Sequence, residues 1–266
     1  MNLPSKFLFF LCLSALLFNR QIYAQETNQN ITPPPKTEIG LPGQVQEDAR
    51  LLYRYEHSWG VMVHSHGFGL NYRRGRSFGE RKKGLYEIEL STLKHPKEYR
   101  LENGSISNSG SYIYGKLNSV MLTRTGYGFK SIVFRKEILN AIEISWYGSL
   151  GASTALVKPI YLEIIKKANG AREIERYDPE KHTQDNIFGK APWIKGLSQL
   201  SVLPGAYARF GLQFDYVNED ERLKFLETGI IIDFHPRPLP IMAFNTSNPI
   251  TTSLYLSLNF GKKWNY

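Results

Sequence analysis

The sequence predicts an all-β fold, an antiparallel transmembrane β-barrel of eight strands with one long outer loop, and three observations predict it. The longest apolar run, residues 7–18, falls short of the roughly 20 residues that a bilayer-spanning helix needs, which excludes a helical membrane protein. Beyond Leu51, apolar and polar residues alternate with a period of two, as in a strand with one face in an apolar medium and the other in a polar one. Charged residues keep falling on one face of that alternation. With 42% hydrophobic residues the chain has the composition of a folded protein, so disorder is excluded as well.

The elements follow in chain order. Lys6 precedes the apolar stretch Phe7 to Phe18, and Ala24 stands before the polar Gln25-Glu26-Thr27. This layout is that of a secretory signal peptide, residues 1–24. Its removal takes away Lys6, Arg20 and the single cysteine, Cys12, so 33 basic residues become 31 against 24 acidic ones, a net charge of +7. An exported chain without disulfides must fold around an ordinary core or close into a barrel. Residues 25–50 are polar, contain Pro33-Pro34-Pro35 and read as a proline-rich periplasmic leader. Residues 51–266 read as the barrel.

Eight segments alternate: 59–73, 84–94, 112–126, 138–148, 152–165, 205–217, 223–235 and 250–261. The last is the purest, with Ile250, Thr252, Leu254, Leu256, Leu258 and Phe260 opposing Thr251, Ser253, Tyr255, Ser257, Asn259 and Gly261. The parity of 59–73 and of 152–165 is ambiguous, and Pro159 in the latter implies a bulge or a strand end. With the leader in the periplasm, 74–83, 127–137, 166–204 and 236–249 become outer loops, while 95–111, 149–151 and 218–222 become inner turns. An even strand number suits a bacterial barrel. Ten strands are also compatible, because boundaries read from sequence drift by about two to four residues.

A soluble sandwich would alternate in the same way. Three features favour the barrel. The polar face carries Glu87, Glu89, Lys116, Arg124, Glu143, Arg209, Asp215, Glu227 and Asp233, whose mixed signs suit an ion-pair network in a narrow lumen. Tyr and Phe, 16 and 15 in number, recur at strand ends, where an amphipathic ring meets a lipid interface. The chain also ends on an alternating strand and an aromatic tail, Trp264-Asn265-Tyr266.

Several motifs carry a resemblance. They are His64-Ser65-His66-Gly67-Phe68-Gly69, Tyr72-Arg73-Arg74-Gly75, Glu87-Ile88-Glu89-Leu90, Lys94-His95-Pro96-Lys97-Glu98, Tyr114-Gly115-Lys116-Leu117-Asn118, Gly126-Tyr127-Gly128 and Lys158-Pro159-Ile160-Tyr161-Leu162. In these the chain resembles small outer-membrane β-barrel proteins of Bacteroidetes-type bacteria over most of its mature length. The resemblance implies the barrel fold and the outer membrane, and no activity.

For chemistry, His64 and His66 share one strand face, but two histidines fall short of the three or four ligands of a zinc site, so neither a metal nor a cofactor is expected. His64, Ser65 and His66 are also the weak candidates for a barrel enzyme that hydrolyses acyl esters. Ser65 lies on the opposite face from both histidines, which opposes their pairing. Arg73, Arg74, Arg76, Lys82 and Lys83, beside the first expected outer loop, and Lys166, Lys167, Arg172 and Arg176 in the long one, suit the phosphates of lipopolysaccharide. Nucleic acid is excluded as a partner of an exported chain. The long loop, with Trp193, Ile194 and Leu197, suits docking. The functional expectation is a non-enzymatic barrel with a structural or interaction role, such as an accessory subunit of an outer-membrane assembly or secretion complex. A lipid A or phospholipid acyl hydrolase and a small channel are the alternatives.

Overall fold

The computed structural model describes residues 53–79, 81–134, 142–166, 170–216, 221–245 and 248–265. The expected signal peptide and leader lie outside the described residues, as does Lys167. The strands are β1 (Tyr55–His64), β2 (Gly67–Ser77), β3 (Lys82–Leu93), β4 (Arg100–Leu101), β5 (Tyr112–Ile113), β6 (Asn118–Phe134), β7 (Glu143–Pro159), β8 (Tyr161–Ile165), β9 (Arg172–Arg176), β10 (Ile187–Lys190), β11 (Ser201–Asp215), β12 (Arg222–Phe234) and β13 (Ile250–Trp264). Eight of them close a barrel in the order β1-β13-β12-β11-β7-β6-β3-β2. Every neighbouring pair is antiparallel, and β1 seals the cylinder against β13 from Tyr55↔Trp264 to His64↔Tyr255. Closure leaves no unpaired edge, the condition for a sheet to sit in hydrocarbon.

The eight strands are those expected in number, yet two boundaries differ in compensating ways. Residues 59–73 form two strands, joined by the two-residue loop Ser65-His66. Gly67 makes that turn with φ 153°, and a Cβ there would lie 2.5 Å from the Thr92 carbonyl oxygen. Conversely, 149–151 is the middle of β7 rather than a turn. Gly151 pairs with Gly126 there, and a side chain on Gly151 would collide with the Thr125 carbonyl. The ends of the barrel change accordingly. The connection 78–81, expected outside, lies at the same end as 216–221, while 94–117, expected inside, joins 65–66, 160–200 and 235–249 at the other. Short turns face the periplasm and long loops the exterior in such barrels, so 94–117 is external and 78–81 internal.

The wall is inverted relative to a soluble protein. Trp59, Val61 and Val63 on β1, Tyr86, Ile88 and Leu90 on β3, and Leu254, Leu256 and Leu258 on β13 are exposed, and Leu150 on β7 is 70% exposed. Their strand neighbours Glu87, Glu89, Arg124, Arg209, Glu227 and Asp233 are buried inside. Rings pair along the outer surface at Trp59–Phe260, Tyr86–Tyr127 and Tyr127–Phe129, with centroids 5.4, 4.9 and 4.9 Å apart, as in an aromatic girdle. An apolar band outside and charge enclosed within is stable only when lipid surrounds the cylinder, and the chain is an integral outer-membrane β-barrel.

Candidate functional site

The lumen is filled in three tiers. The middle tier holds three arginines, each bridging two carboxylates. Arg73 reaches Glu87 at 3.0 Å and Glu227 at 2.8 Å, Arg124 grips Asp233 at 2.8 and 2.7 Å and also contacts Glu89, and Arg209 reaches Glu87 at 3.0 Å and also contacts Glu89. Four carboxylates against three guanidinium groups leave one excess negative charge, which neutral donors disperse. Tyr147, Tyr207 and Ser149 donate to Glu87 at 2.9, 2.6 and 2.8 Å, while Tyr255 and Gln213 donate to Glu227 at 2.7 and 2.6 Å. Breaking one member of such a buried network costs about 3–5 kcal/mol, because the charges it held lose their compensation.

A second tier fills the periplasmic end, where Glu56 binds Lys83 at 2.5 Å and Lys263 stands 3.8 Å from Asp215. Lys130 is buried close to Glu56, Glu143 and Asp215. The third tier, at the outer end, is apolar: Leu93, Val120, Leu122, Ala155 and Val157 point inward from the strands and pack against Leu239 and Ile241 from the 235–249 connection. That connection is tied down by Leu117 N–H to Ile241 O at 2.9 Å, Asn118 Nδ2 to Pro240 O at 2.6 Å and Ala243 N–H to Gly115 O at 2.7 Å. An eight-stranded barrel has an interior just wide enough for its own side chains, and these residues occupy it from end to end.

Glu87, Glu89, Arg124, Arg209, Glu227 and Asp233 meet in the middle tier. Glu143 and Asp215 belong to the periplasmic tier, and Lys116 lies in the external region, 2.5 Å from Glu98. Arg73, expected beside the first outer loop, is instead buried in the lumen, 1% exposed. Parity separates it from its neighbours: β2 turns Phe68, Leu70, Tyr72, Arg74 and Arg76 outward and Asn71 and Arg73 inward. Arg74, Arg76 and Lys82 are exposed at the periplasmic end, and Lys83 turns inward to Glu56. These cations therefore face away from the outer leaflet. Glu56 and Lys130 are not among the residues singled out in the sequence; their position on the inward parity of β1 and β6 is the signal that marks them.

At the β1–β2 turn, Nδ1 of His66 stands 3.0 Å from Ser65 Oγ and 2.9 Å from Ser253 Oγ, and the His66 backbone N–H donates to His64 Nδ1 at 3.3 Å. His66 and Ser65 thus meet, against the expectation from their faces, because both sit in the turn rather than on a continuous strand. Burial pushes the His66 imidazole below its ordinary value, His95 adds to the shift and Asp233 opposes it. Among the described residues no carboxylate hydrogen-bonds His66, and no group of three or more metal-ligating side chains occurs.

Above the wall, the external connections build a crown with a core of its own. Strands β10, β8 and β9 form one sheet and β4 and β5 a hairpin. Tyr112, Ile160, Leu162, Ile164, Tyr177 and Ile187 pack between them. Asn103 Nδ2 ties the two parts together by donating to the carbonyls of Gln184 and Ile187 at 2.8 and 3.0 Å. His182 is buried against Glu175 at 3.2 Å, and hydrogen bonding to His182 holds the Glu175 carboxyl below its ordinary value. The expected long loop 166–204 thus carries β9, β10 and a short 3-10 turn, Leu197–Gln199, while Trp193 and Ile194 stay exposed.

No protein-family model matches the chain, and no match is found among curated proteins. Among solved structures it is similar to Ail, the attachment invasion locus protein of Yersinia pestis, in its complex with the heparin analogue sucrose octasulfate (10% identity, 80% of this chain and 99% of that one, TM-score 0.39). It is also similar to Neisserial surface protein A (11% identity, 80% and 97%, TM-score 0.40) and to the outer membrane protein OprG from Pseudomonas aeruginosa (10% identity, 80% and 97%, TM-score 0.34).

Proposed function

We propose that this barrel is a structural and interaction protein of the outer membrane, an accessory subunit that presents its crown to a larger outer-membrane assembly or secretion complex. One observation carries the reading: the lumen is packed along its length, with an apolar cap and two ionic tiers, while the part of the molecule with an independent core is the crown. A chain organised in this way supports contacts outside the barrel rather than passage through it. Reconstitution in planar bilayers tests the first half, with a silent membrane expected; discrete conductance steps would reassign the protein as a channel. Extraction in mild detergent after cross-linking tests the second. A stoichiometric outer-membrane partner, lost when the β9–β10 region is replaced by a short hairpin, is expected.

The competing reading, an acyl hydrolase, draws on Ser65 Oγ at 3.0 Å from His66 Nδ1. Among the described residues no carboxylate hydrogen-bonds the imidazole to orient it, whereas in a triad the base is itself held by a third group. Incubation with lipid A, followed for released acyl chains, decides it. Turnover by the wild type that Ser65→Ala and His66→Ala both abolish would establish hydrolysis in place of a purely binding role.

A further inference from the structure

On the membrane-facing side of the crown is a cavity of about 290 Å³ lined by Arg100, Lys116, Lys158, Lys190, Trp193 and a floor that includes Ile160 and Leu162. Four of its lining residues are cations and, among the described residues, none is a carboxylate. Lys116 is neutralised by Glu98 at 2.5 Å, leaving three cations without an acidic partner among the described residues. Lys158 Nζ donates to the carbonyls of Trp193 at 2.7 Å and Lys195 at 3.4 Å, its ammonium stands 5.2 Å from the centre of the Trp193 ring, and Lys190 is close enough for the two charges to repel. Backbone carbonyls and a ring face hold Lys158 in place without cancelling its charge. Gathering like charges over an apolar floor is unfavourable unless an anion compensates them.

The position of the cavity selects the anion. Lys158 shares the outward parity of Trp146 and Leu150 on β7, and Ser119, also in the lining, shares that of Met121 on β6. The cavity therefore opens on the outside of the wall, at the external end of the strands and above the exposed apolar residues Met121, Leu150 and Val202. Exposed Trp193 and Ile194 flank it, a tryptophan being the residue that settles at a lipid headgroup boundary. A ligand seated there would place charge among Arg100, Lys158 and Lys190 and hydrocarbon against the strands.

We propose that this cavity binds the phosphate-bearing headgroup of an outer-leaflet glycolipid, with its acyl chains lying along β6, β7 and β11. Arg100 offers a planar fork for phosphate and Lys158 and Lys190 offer point charges; three uncompensated cations match a headgroup with more than one negative charge. The inference rests on the outer-membrane reading and on the assignment of the crown to the external side.

The test uses the full mature protein, purified in a non-ionic detergent and titrated with bis-phosphorylated lipid A under native mass spectrometry. The wild type retains lipid A, and Arg100→Ala combined with Lys190→Ala weakens retention by about tenfold or more, a loss of about 1.4 kcal/mol per decade. Arg74→Ala combined with Arg76→Ala, at the opposite end, leaves retention unchanged. Dephosphorylated lipid A is not retained, and inorganic phosphate at the same concentration does not displace the lipid. Equal retention by the wild type and the crown variant overturns the proposal, and displacement by inorganic phosphate alone reassigns the cavity to a free anion. Heat-modifiable gel migration of each sample separates these failures from failure of the underlying reading: a protein that stays soluble and folded without detergent would remove the membrane itself. Should the double variant not fold, Lys190→Glu alone, on an exposed side chain, gives the same comparison.

Discussion

The lumen and the crown hold positive charge in opposite ways, and the contrast separates what stabilises this protein from what it offers to its surroundings. Arg73, Arg124 and Arg209 each lie between two carboxylates, out of water, and their bonds join strands that are far apart in sequence: β2 to β12, β6 to β12 and β11 to β3. Arg100, Lys158 and Lys190 converge on one cavity with no acid in its lining among the described residues. A guanidinium whose charge is fully compensated inside a barrel has little left for a ligand, whereas one left uncompensated at a lipid boundary contributes little to folding.

The largest expected effect comes from the lumen. Arg209→Ala leaves Glu87 and Glu89 short of a partner, and a loss of about 3–5 kcal/mol is expected, read as a lower urea midpoint in detergent micelles. Adding Glu89→Gln to that variant should recover part of the loss, as contacting residues couple by about 0.5–3 kcal/mol; strictly additive losses would mean that the two side chains do not form one network.

Next comes the wall. Leu256, half-exposed and near the middle of β13, faces outward, so Leu256→Arg should cost about 2–4 kcal/mol if hydrocarbon lies against it. A change within about 0.5 kcal/mol, the usual effect at a water-exposed site, would place that face in water and break the comparison at its base.

A smaller effect concerns the external mouth. The folded state holds the His66 imidazole below its ordinary value, chiefly through burial. Between the folded and unfolded values the unfolded chain binds more protons, so stability falls as pH drops through the ordinary histidine range and levels off below the folded value. Urea midpoints at pH 7 and pH 5 should show this loss, and His66→Gln should reduce the slope. The smallest effect belongs to the crown, where Arg100→Ala combined with Lys190→Ala should move stability by no more than about 0.5 kcal/mol. A larger loss would make these cations structural after all.

The alternation made much of this legible. The purest alternation, Ile250 to Phe260, lies within β13, and Glu87, Glu89, Arg124, Arg209, Glu227 and Asp233 fall on the buried parity of their strands. Where the alternation was ambiguous, the reason is visible in the structure. Across 59–73 the outward positions change from odd (Trp59, Val61, Val63) to even (Phe68, Leu70, Tyr72), because the two-residue loop Ser65-His66 pairs His64 with Gly67. In 152–165 the outward set holds up to Pro159, where the chain leaves the wall; Leu162 and Ile164 then turn into the crown core. Residues 149–151, expected as a turn, instead lie within β7, with Gly151 fitting against its partner Gly126. The β1–β2 turn within 59–73 exchanges the two ends of the barrel for the residues that follow it, which puts Arg73, Lys82 and Lys83 toward the periplasmic end instead of an outer loop; the continuity of β7 through 149–151 restores the expected ends beyond it.

By itself, the sequence determined that the chain alternates, that its charges share one face and that its other face is apolar, because a period of two is a local property of each strand and survives any arrangement of the strands. Only the tertiary structure decided which arginine meets which carboxylate, that Leu239 and Ile241 fold back to cap the lumen, and that Arg100, Lys158 and Lys190 gather at one cavity. Those pairings span up to 154 residues between Arg73 and Glu227. No local pattern carries them, because they exist only once the sheet has closed and set the register of its eight strands.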